Sequence, residues 1–482
     1  MTGPDVAVDA LAERLDAAPV VRIVREALGR AEGTWIVGGA IRDGLLGRSI
    51  TDVDLVVSSG ERDVARAVGR AAGCPAFALS EQFGAWRVSG DGWQVDVSTL
   101  RADSLEGDLA LRDFTVNAIA VPVGGGTPVD PLGGIGDLEA GCLRAAGPTS
   151  FVADPLRLLR AARLAGDLRL AIEDHTLDLA HQAAPRAAEP AGERQFAELR
   201  LGLGGRNPLG VLALMDRLAI TPVVLPEIAE LGGVGQSHYH HLDVHGHTLA
   251  VLAEVITLPN RLEDLFGERA PAVAAALDRP LADDLTHSQA LRFAALLHDA
   301  GKPQTRGETD TGRVTFFGHD KAGETIAGAF CRRMRTSRAL RQWLELLVRE
   351  HLRLGFLVHS MPLERRMVHD YLSATHPAPL DVTLLTVADR LSTRGRKADE
   401  AIGRHLDLVR HVVPDVLAWE HDGPPSAPVR GDELAEALEM RPGPELGALL
   451  AELAARRWTG EIATREDAIA CARALRGTLP AT

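Results

Sequence analysis

Strand-forming pattern is confined to the first third of this chain, and the residues beyond Pro155 read as helix. Trp35-Ile36-Val37 is a short strand that turns at Gly38-Gly39 into a helix from Ala40 to Leu46. Val53 to Val57 is a second strand, and Glu61 to Ala72 is helical. Gly84 to Val88 and Trp93 to Val97 alternate apolar and polar residues, as half-buried strands do. Arg112 to Val123 holds a helix or strand, closed by the Gly124-Gly125-Gly126 turn. Asp9 to Arg30 reads as one amphipathic helix. After Pro155 the helical period covers Leu156 to Leu164, Glu193 to Leu203 and Leu209 to Leu218. Beyond a Gly- and His-rich loop (Gly232 to Gly246) it covers His247 to Leu258, Ser288 to His298, Gly323 to Met334, Arg338 to His351 and Leu380 to Arg390. The fold class expected is α+β. An α/β head with a mixed sheet spans residues 20–150, a helical neck 151–235, a third helical domain 236–400 and a helical tail 401–482, set off by Pro424-Pro425-Ser426-Ala427-Pro428.

A length of 482 residues suits about three domains. The net charge of −14 argues against non-specific grip on long nucleic acid and leaves local arginine stripes as the route to RNA. Aromatics at 4% argue against broad base-stacking platforms. Cys74, Cys142, Cys331 and Cys471 form no CxxC pair, so thiolate zinc is not expected and a reducing cytoplasm is. The first residues carry Asp5, Asp9, Glu13 and Asp16 and do not read as a signal peptide. The most apolar run, Leu209 to Leu225, is broken by Asp216 and Arg217, so no membrane span is expected.

The first chemical motif is Gly38-Gly39-Ala40-Ile41-Arg42-Asp43-Gly44, followed by Thr51-Asp52-Val53-Asp54-Leu55. Acids at i, i+2 on a strand project to one face. Closely spaced carboxylates hold the Mg²⁺ ions that nucleotidyl transfer needs, and the paired glycines admit phosphate oxygens close to the backbone. A lone DxD is usually a solvated pair; coupled to the glycine turn and strand character, it reads as a catalytic centre. Asp96, in Gln94-Val95-Asp96-Val97, is either a third active-site carboxylate or an edge-strand acid facing solvent.

These residues, with four further blocks, resemble the class II tRNA nucleotidyltransferases (CCA-adding enzymes) and bacterial poly(A) polymerases, whose head is polymerase β-like. Leu111-Arg112-Asp113-Phe114-Thr115-Val116-Asn117-Ala118 resembles that family's RRDFTxNA block, which implies ribose and base contacts from Arg112, Asp113 and Asn117. Asp130 to Gly134, with Asp137 and Arg144, resembles its hinge between head and neck. Asp154-Pro155-Leu156-Arg157, continuing to Arg160 and Arg163, resembles its EDxxR helix, and Gly192-Glu193-Arg194 with Glu198 its neck block. Asp154 and Arg157 at i, i+3 are expected on one helix face. A carboxylate that accepts from an exocyclic amine, beside a guanidinium that donates to a ring acceptor, selects C and A over G and U. Arg42, Arg112 and Arg160 would neutralise the triphosphate. The resemblance implies tRNA, CTP and ATP as partners. Ala153 and Leu111 depart from the family pattern. The ten residues Ala102 to Leu111 stand where CCA-adding relatives carry a longer flexible loop, which keeps open a CC-adding enzyme that leaves the terminal A to a partner A-adding enzyme. Poly(A) synthesis is the other alternative within the class.

The second motif is His247, then Leu296-Leu297-His298-Asp299-Ala300-Gly301-Lys302, then Asp389. It resembles the HD phosphohydrolases, in which His247, His298, Asp299 and Asp389 would ligate a metal, His319 and His351 are candidate further ligands, and Lys302 meets a phosphate. Mixed nitrogen and oxygen ligation suits Mn²⁺, Ni²⁺ or Co²⁺ better than structural zinc. A phosphodiesterase or phosphohydrolase activity, on a 2′,3′-cyclic phosphate or a mononucleotide, is therefore a further alternative or companion function. His238, His240, His241 and His245 read as ordinary loop histidines. The segment from Arg430 to Glu461 resembles the tail of bacterial family members, which would grip the tRNA elbow.

Overall fold

The computed structural model describes residues 6–80, 84–236, 242–393 and 398–476. The chain falls into two compact units, Met1–Val224 and Leu225–Thr482. The first carries a six-stranded sheet: β1 (Thr34–Val37), β2 (Asp52–Val57), β3 (Ala76–Ser80), β4 (Ala85–Gly90), β5 (Trp93–Thr99) and β6 (Ala120–Pro122). Their order is β3-β4-β5-β2-β1-β6, with β2 and β5 parallel and the other neighbours antiparallel. The mixed sheet was expected. β3, which pairs only with β4 at the edge, was not, and β6 is the three-residue strand within the Arg112–Val123 stretch that was open to helix or strand.

Burial alternates along β2, where Val53 and Leu55 sit in the core while Asp52 and Asp54 face outward. The parallel register sets Asp54 opposite Asp96, and the antiparallel one sets Val37 opposite Asp54. Asp9 to Arg30 is not one helix. Two helices, Leu11–Ala17 and Pro19–Leu28, meet at Ala18, which takes the extended conformation that a following proline favours.

Three helices continue the first unit: Leu156–Leu168, Gly192–Gly204 and Pro208–Arg217. They pack closely because Gly166 and Gly202 both face Val211; a Cβ at Gly166 would stand 2.7 Å from its Cγ2. Strand structure does not vanish after Pro155, since Ala171–Ile172 pairs with Cys142–Leu143 and two further two-residue ladders lie in the second unit. Each is too short to leave a period of two in the sequence.

The second unit is built on helices Val244–Thr257, His287–Leu297, His319–Arg333, Arg338–Glu350, Pro379–Ser392 and Ala398–Asp422. Its last part packs Gly431–Leu438, Pro444–Thr459 and Arg465–Leu475 around Leu434, Leu438, Leu449, Leu453 and Ala468. His238, His240 and His241 lie outside the described residues, and His245 lies in the first of these helices. Among the described residues no helix is long and apolar enough to cross a membrane, and all four cysteines are free thiols.

The Asp130–Gly134 segment is fixed by local contacts. The Asp130 carboxylate accepts from Gly134 N at 2.7 Å and Ile135 N at 2.9 Å, satisfying donors at a helix start. A Cβ on Gly134 would collide with the Thr115 carbonyl, whereas one on Gly136 would meet nothing within 4 Å. Gly134→Ala is therefore expected to cost about 1–3 kcal/mol by overpacking. Urea unfolding should show that loss for Gly134→Ala and none for Gly136→Ala.

Candidate functional site

Two constellations, one in each unit, gather the candidate residues. In the first unit, Gly38 ends β1 in the left-handed region, at φ 71°. Only glycine takes that turn without strain. A Cβ there would stand 3.1 Å from an Arg112 Nη1 and 3.4 Å from an Asp54 Oδ2, so the turn, the guanidinium and the carboxylate share one small space. Asp52, Asp54 and Asp96 lie on adjacent parallel strands. Asp54 opens onto solvent at its tip but is ringed by protein, which pushes its carboxyl up; Asp96 and Asp52 add to this and Arg112 opposes it. Clustered carboxylates that repel one another are a donor set for divalent cations.

Asp96 is not an open edge acid. β5 is an interior strand, and Arg87 of β4 grips both oxygens of Asp96, at 2.6 Å and 2.7 Å.

Behind the cleft runs a chain of polar contacts through most of the candidate nucleotide-binding residues. Arg42 Nη1 donates to Asn117 Oδ1 at 2.6 Å, and Asn117 Nδ2 to Asp113 Oδ1 at 3.0 Å. Arg160 donates to Asp113 at 3.2 Å and to Glu198 at 2.9 Å, and Arg163 to Glu198 at 2.6 Å. Burial alone would raise the Asp113 carboxyl, but Arg160, Asn117 and the Phe114 amide hold it below its ordinary range. Every member is bonded, the condition under which a buried polar network rigidifies a site.

Asp154 and Arg157 do not share a helix. Asp154 is extended, at φ −147° and ψ 100°, because Pro155 follows it; the helix begins at Leu156, whose amide the Asp154 carboxylate receives at 3.2 Å. Arg194 holds Asp154 at 2.8 Å. Arg157 donates to the carbonyls of Leu111 (2.8 Å), Arg112 (3.0 Å) and Ser150 (3.3 Å). The ten residues before Arg112 fold into a short helix, Leu105–Ala110, capped by Ser104.

In the second unit, His247 comes from one helix, His298 caps another, His319 opens a third, His351 caps a fourth and Asp389 lies on a fifth. Asp299 sits at their centre. Its Oδ2 lies 3.0 Å from His298 Nε2 and 3.6 Å from His247 Nε2; its Oδ1 lies 3.4 Å from His319 Nε2 and 4.0 Å from His351 Nε2. His247 Nε2 also lies 3.0 Å from Asp389. Two potential metal groups result, His247/His298/Asp299 and Asp299/His319/His351, joined through one carboxylate. All six residues expected here converge.

The donor chemistry fits divalent metal. His298, His319 and His351 each engage a backbone carbonyl through Nδ1, at 2.7–2.8 Å. That contact holds a proton on Nδ1 and aims Nε2 at the centre of the cluster. His319 Nε2 is buried with no hydrogen-bond partner, whereas burial would lower His298 but Asp299, 3.0 Å from its Nε2, raises it overall. Burial, reinforced by the neighbouring His298, pushes His351 down to about 4, so it is neutral at pH 7. Burial raises the Asp299 carboxyl, but His298 and Lys302 outweigh it and hold Asp299 well below the carboxylate range. Lys302 Nζ sits 2.7 Å from Asp299 Oδ2 and donates to Gln236.

Arg87 and Asp108 were not singled out from the sequence. Asp108 left a trace, as an acid between Leu105 and Leu109 on one buried helix face; Arg87 left none, because its role depends on which strand pairs with β5.

Residues 34–144 match the family model of the poly A polymerase head domain, and residues 272–394 that of the HD domain. The chain is 34% identical over 447 residues to an A-adding tRNA nucleotidyltransferase of Deinococcus radiodurans, covering 90% of this chain and 94% of the relative. It is 31% identical over 440 residues to a CC-adding tRNA nucleotidyltransferase of Geobacter sulfurreducens, covering 90% of each. A solved CCA-adding enzyme in complex with ATP has the same fold, with a TM-score of 0.61 at 21% identity over 98% of this chain and 99% of that one. Similarity on this scale, over nine-tenths of both sequences, means that the chain belongs to the tRNA nucleotidyltransferase family.

Proposed function

We propose that the chain adds C and A residues to the 3′ end of tRNA from CTP and ATP, with no nucleic-acid template. The observation that carries this reading is the meeting of Asp54, Arg112 and the Gly38 turn in one small space, with Asp52 on the same face of the strand. Asp52 and Asp54 would hold Mg²⁺, which when bound would activate the tRNA 3′-hydroxyl and neutralise triphosphate charge. Asp96, held by Arg87, keeps the local field negative beside them. Arg42, Arg112 and Arg160 offset triphosphate charge, and Asp113 and Asn117 shape the ribose and base side of the pocket. A cytosine or adenine amine takes the place of Arg194 at Asp154, while the Arg157 guanidinium faces the ring acceptor. Arg163 supports this helix through Glu198.

One observation favours a narrower specificity. The segment Ala102–Leu111 is short and folded, with Leu105 and Leu109 in the core of the sheet. Under that reading the enzyme stops after two C residues and a partner A-adding enzyme finishes the end.

We also propose a second, hydrolytic centre of Mn²⁺, Ni²⁺ or Co²⁺ at His247, His298, Asp299 and Asp389, with His319 and His351 completing it. These residues would hold the metal, which when bound would lower the pKa of a water for phosphoester cleavage.

Asp54→Asn should reduce extension of a labelled tRNA lacking its CCA end about a hundredfold or more; an unchanged rate removes the head from the chemistry. With CTP and ATP together, growth by three residues on a sequencing gel establishes complete CCA addition, and growth by two establishes CC addition. Asp299→Ala should abolish the transition metal found by elemental analysis and the hydrolysis of a 2′,3′-cyclic nucleotide, while tRNA extension persists.

A further inference from the structure

Resting on that reading of the head, we infer that Asp108 is a positioning residue for the nucleotidyl transfer, aiming Arg112 at the triphosphate. Asp108 lies wholly inside the protein, on the short helix between β5 and Arg112. A buried carboxylate is retained only where charges and donors compensate it. Here Arg101 supplies its backbone N–H at 3.0 Å and its Nε at 3.1 Å, and Arg112 supplies Nη2 at 3.2 Å. Together these outweigh the burial that would raise the carboxyl and hold Asp108 below its ordinary range.

The consequence lies at the other end of the Arg112 guanidinium. With Nη2 fixed to Asp108, Nη1 points to the Gly38 turn, beside Asp54. The helix carrying Asp108 is anchored by Leu105 and Leu109, which pack with Val37 and Val56 of β1 and β2. Arg112 is also held from behind, since its carbonyl and that of Leu111 accept from Arg157. The guanidinium is thus locked by a carboxylate on its side chain and by Arg157 on its backbone, in a cleft where one free side of its fork faces incoming phosphate. A lysine cannot serve both Asp108 and the cleft, since it has a point charge where arginine has a planar fork.

The test is calorimetric titration of CTP into wild type, Asp108→Asn, Arg112→Ala and the double variant, which needs no turnover. Alongside it, KM for tRNA and for CTP are measured for Asp108→Asn. Asp108→Asn should raise the Kd and KM for CTP about tenfold and leave KM for tRNA within about twofold. In the Arg112→Ala background it should have almost no further effect, because the two act as one unit. Arg112→Lys, which keeps Asp108 intact, should weaken CTP binding to a similar degree. The proposal fails if Asp108→Asn changes both KM values alike, leaves CTP binding unaltered, or keeps its full effect in the Arg112→Ala background. If Asp108→Asn does not fold, Arg112→Lys decides the matter, and wild-type CTP affinity in that variant overturns it. Loss of extension by the wild-type enzyme would instead remove the underlying activity, whatever these titrations show.

Discussion

The head and its helical extension work as one object because a buried carboxylate, Asp113, is shared between them. Asn117 and Phe114 hold it from the head side, and Arg160 reaches it from the helix Leu156–Leu168. Asp113 is thereby compensated from both sides, and Arg160 in turn is shared with Glu198, so each contact supports the next. Arg42 and Glu198 extend the chain at either end. Asp154 and Arg157, the proposed base-reading pair, are thereby tied to the same framework as Asp52 and Asp54. An enzyme that selects nucleotides with side chains, not a template, needs that fixed geometry.

The second unit applies the same principle with a different purpose. Asp299 is the buried carboxylate, and histidines from four helices surround it. Their Nδ1 contacts to backbone carbonyls, at His298, His319 and His351, orient the rings before any metal binds, which is what a preorganised centre requires. Gly301 admits the close approach of the His319 turn, where a Cβ would collide with the His319 carbonyl. The Asp299-Ala300-Gly301 sequence therefore carries both the central carboxylate and the packing that brings a further histidine to it.

Much of this was legible in the sequence, and the parts that were not have physical reasons. The Asp52/Asp54 alternation, the glycine turn and the histidines of the second unit were readable, because strand period, backbone freedom and donor type are local properties. All six metal-centre candidates converge. The geometry at Asp154 was not foreseen, because Pro155 rules out a shared helix face one residue earlier than the i, i+3 spacing suggests. The break at Ala18 has the same cause. Arg87 was invisible because strand order is non-local. Asp108 left only the trace of an acid beside Leu105 and Leu109, whose packing against β1 and β2 depends on the tertiary fold. The status of Asp96 turned on β5 being interior, which no run of seven residues discloses.

The most direct test of this mechanism is a crystal structure of the enzyme with CTP and Mg²⁺. The triphosphate is expected between the Gly38 turn and the Asp52/Asp54 pair, against Arg112, with the cytosine amine at Asp154 in place of Arg194. A nucleotide bound elsewhere, or a triphosphate in that cleft with its base turned away from Asp154 and Arg157, would contradict it.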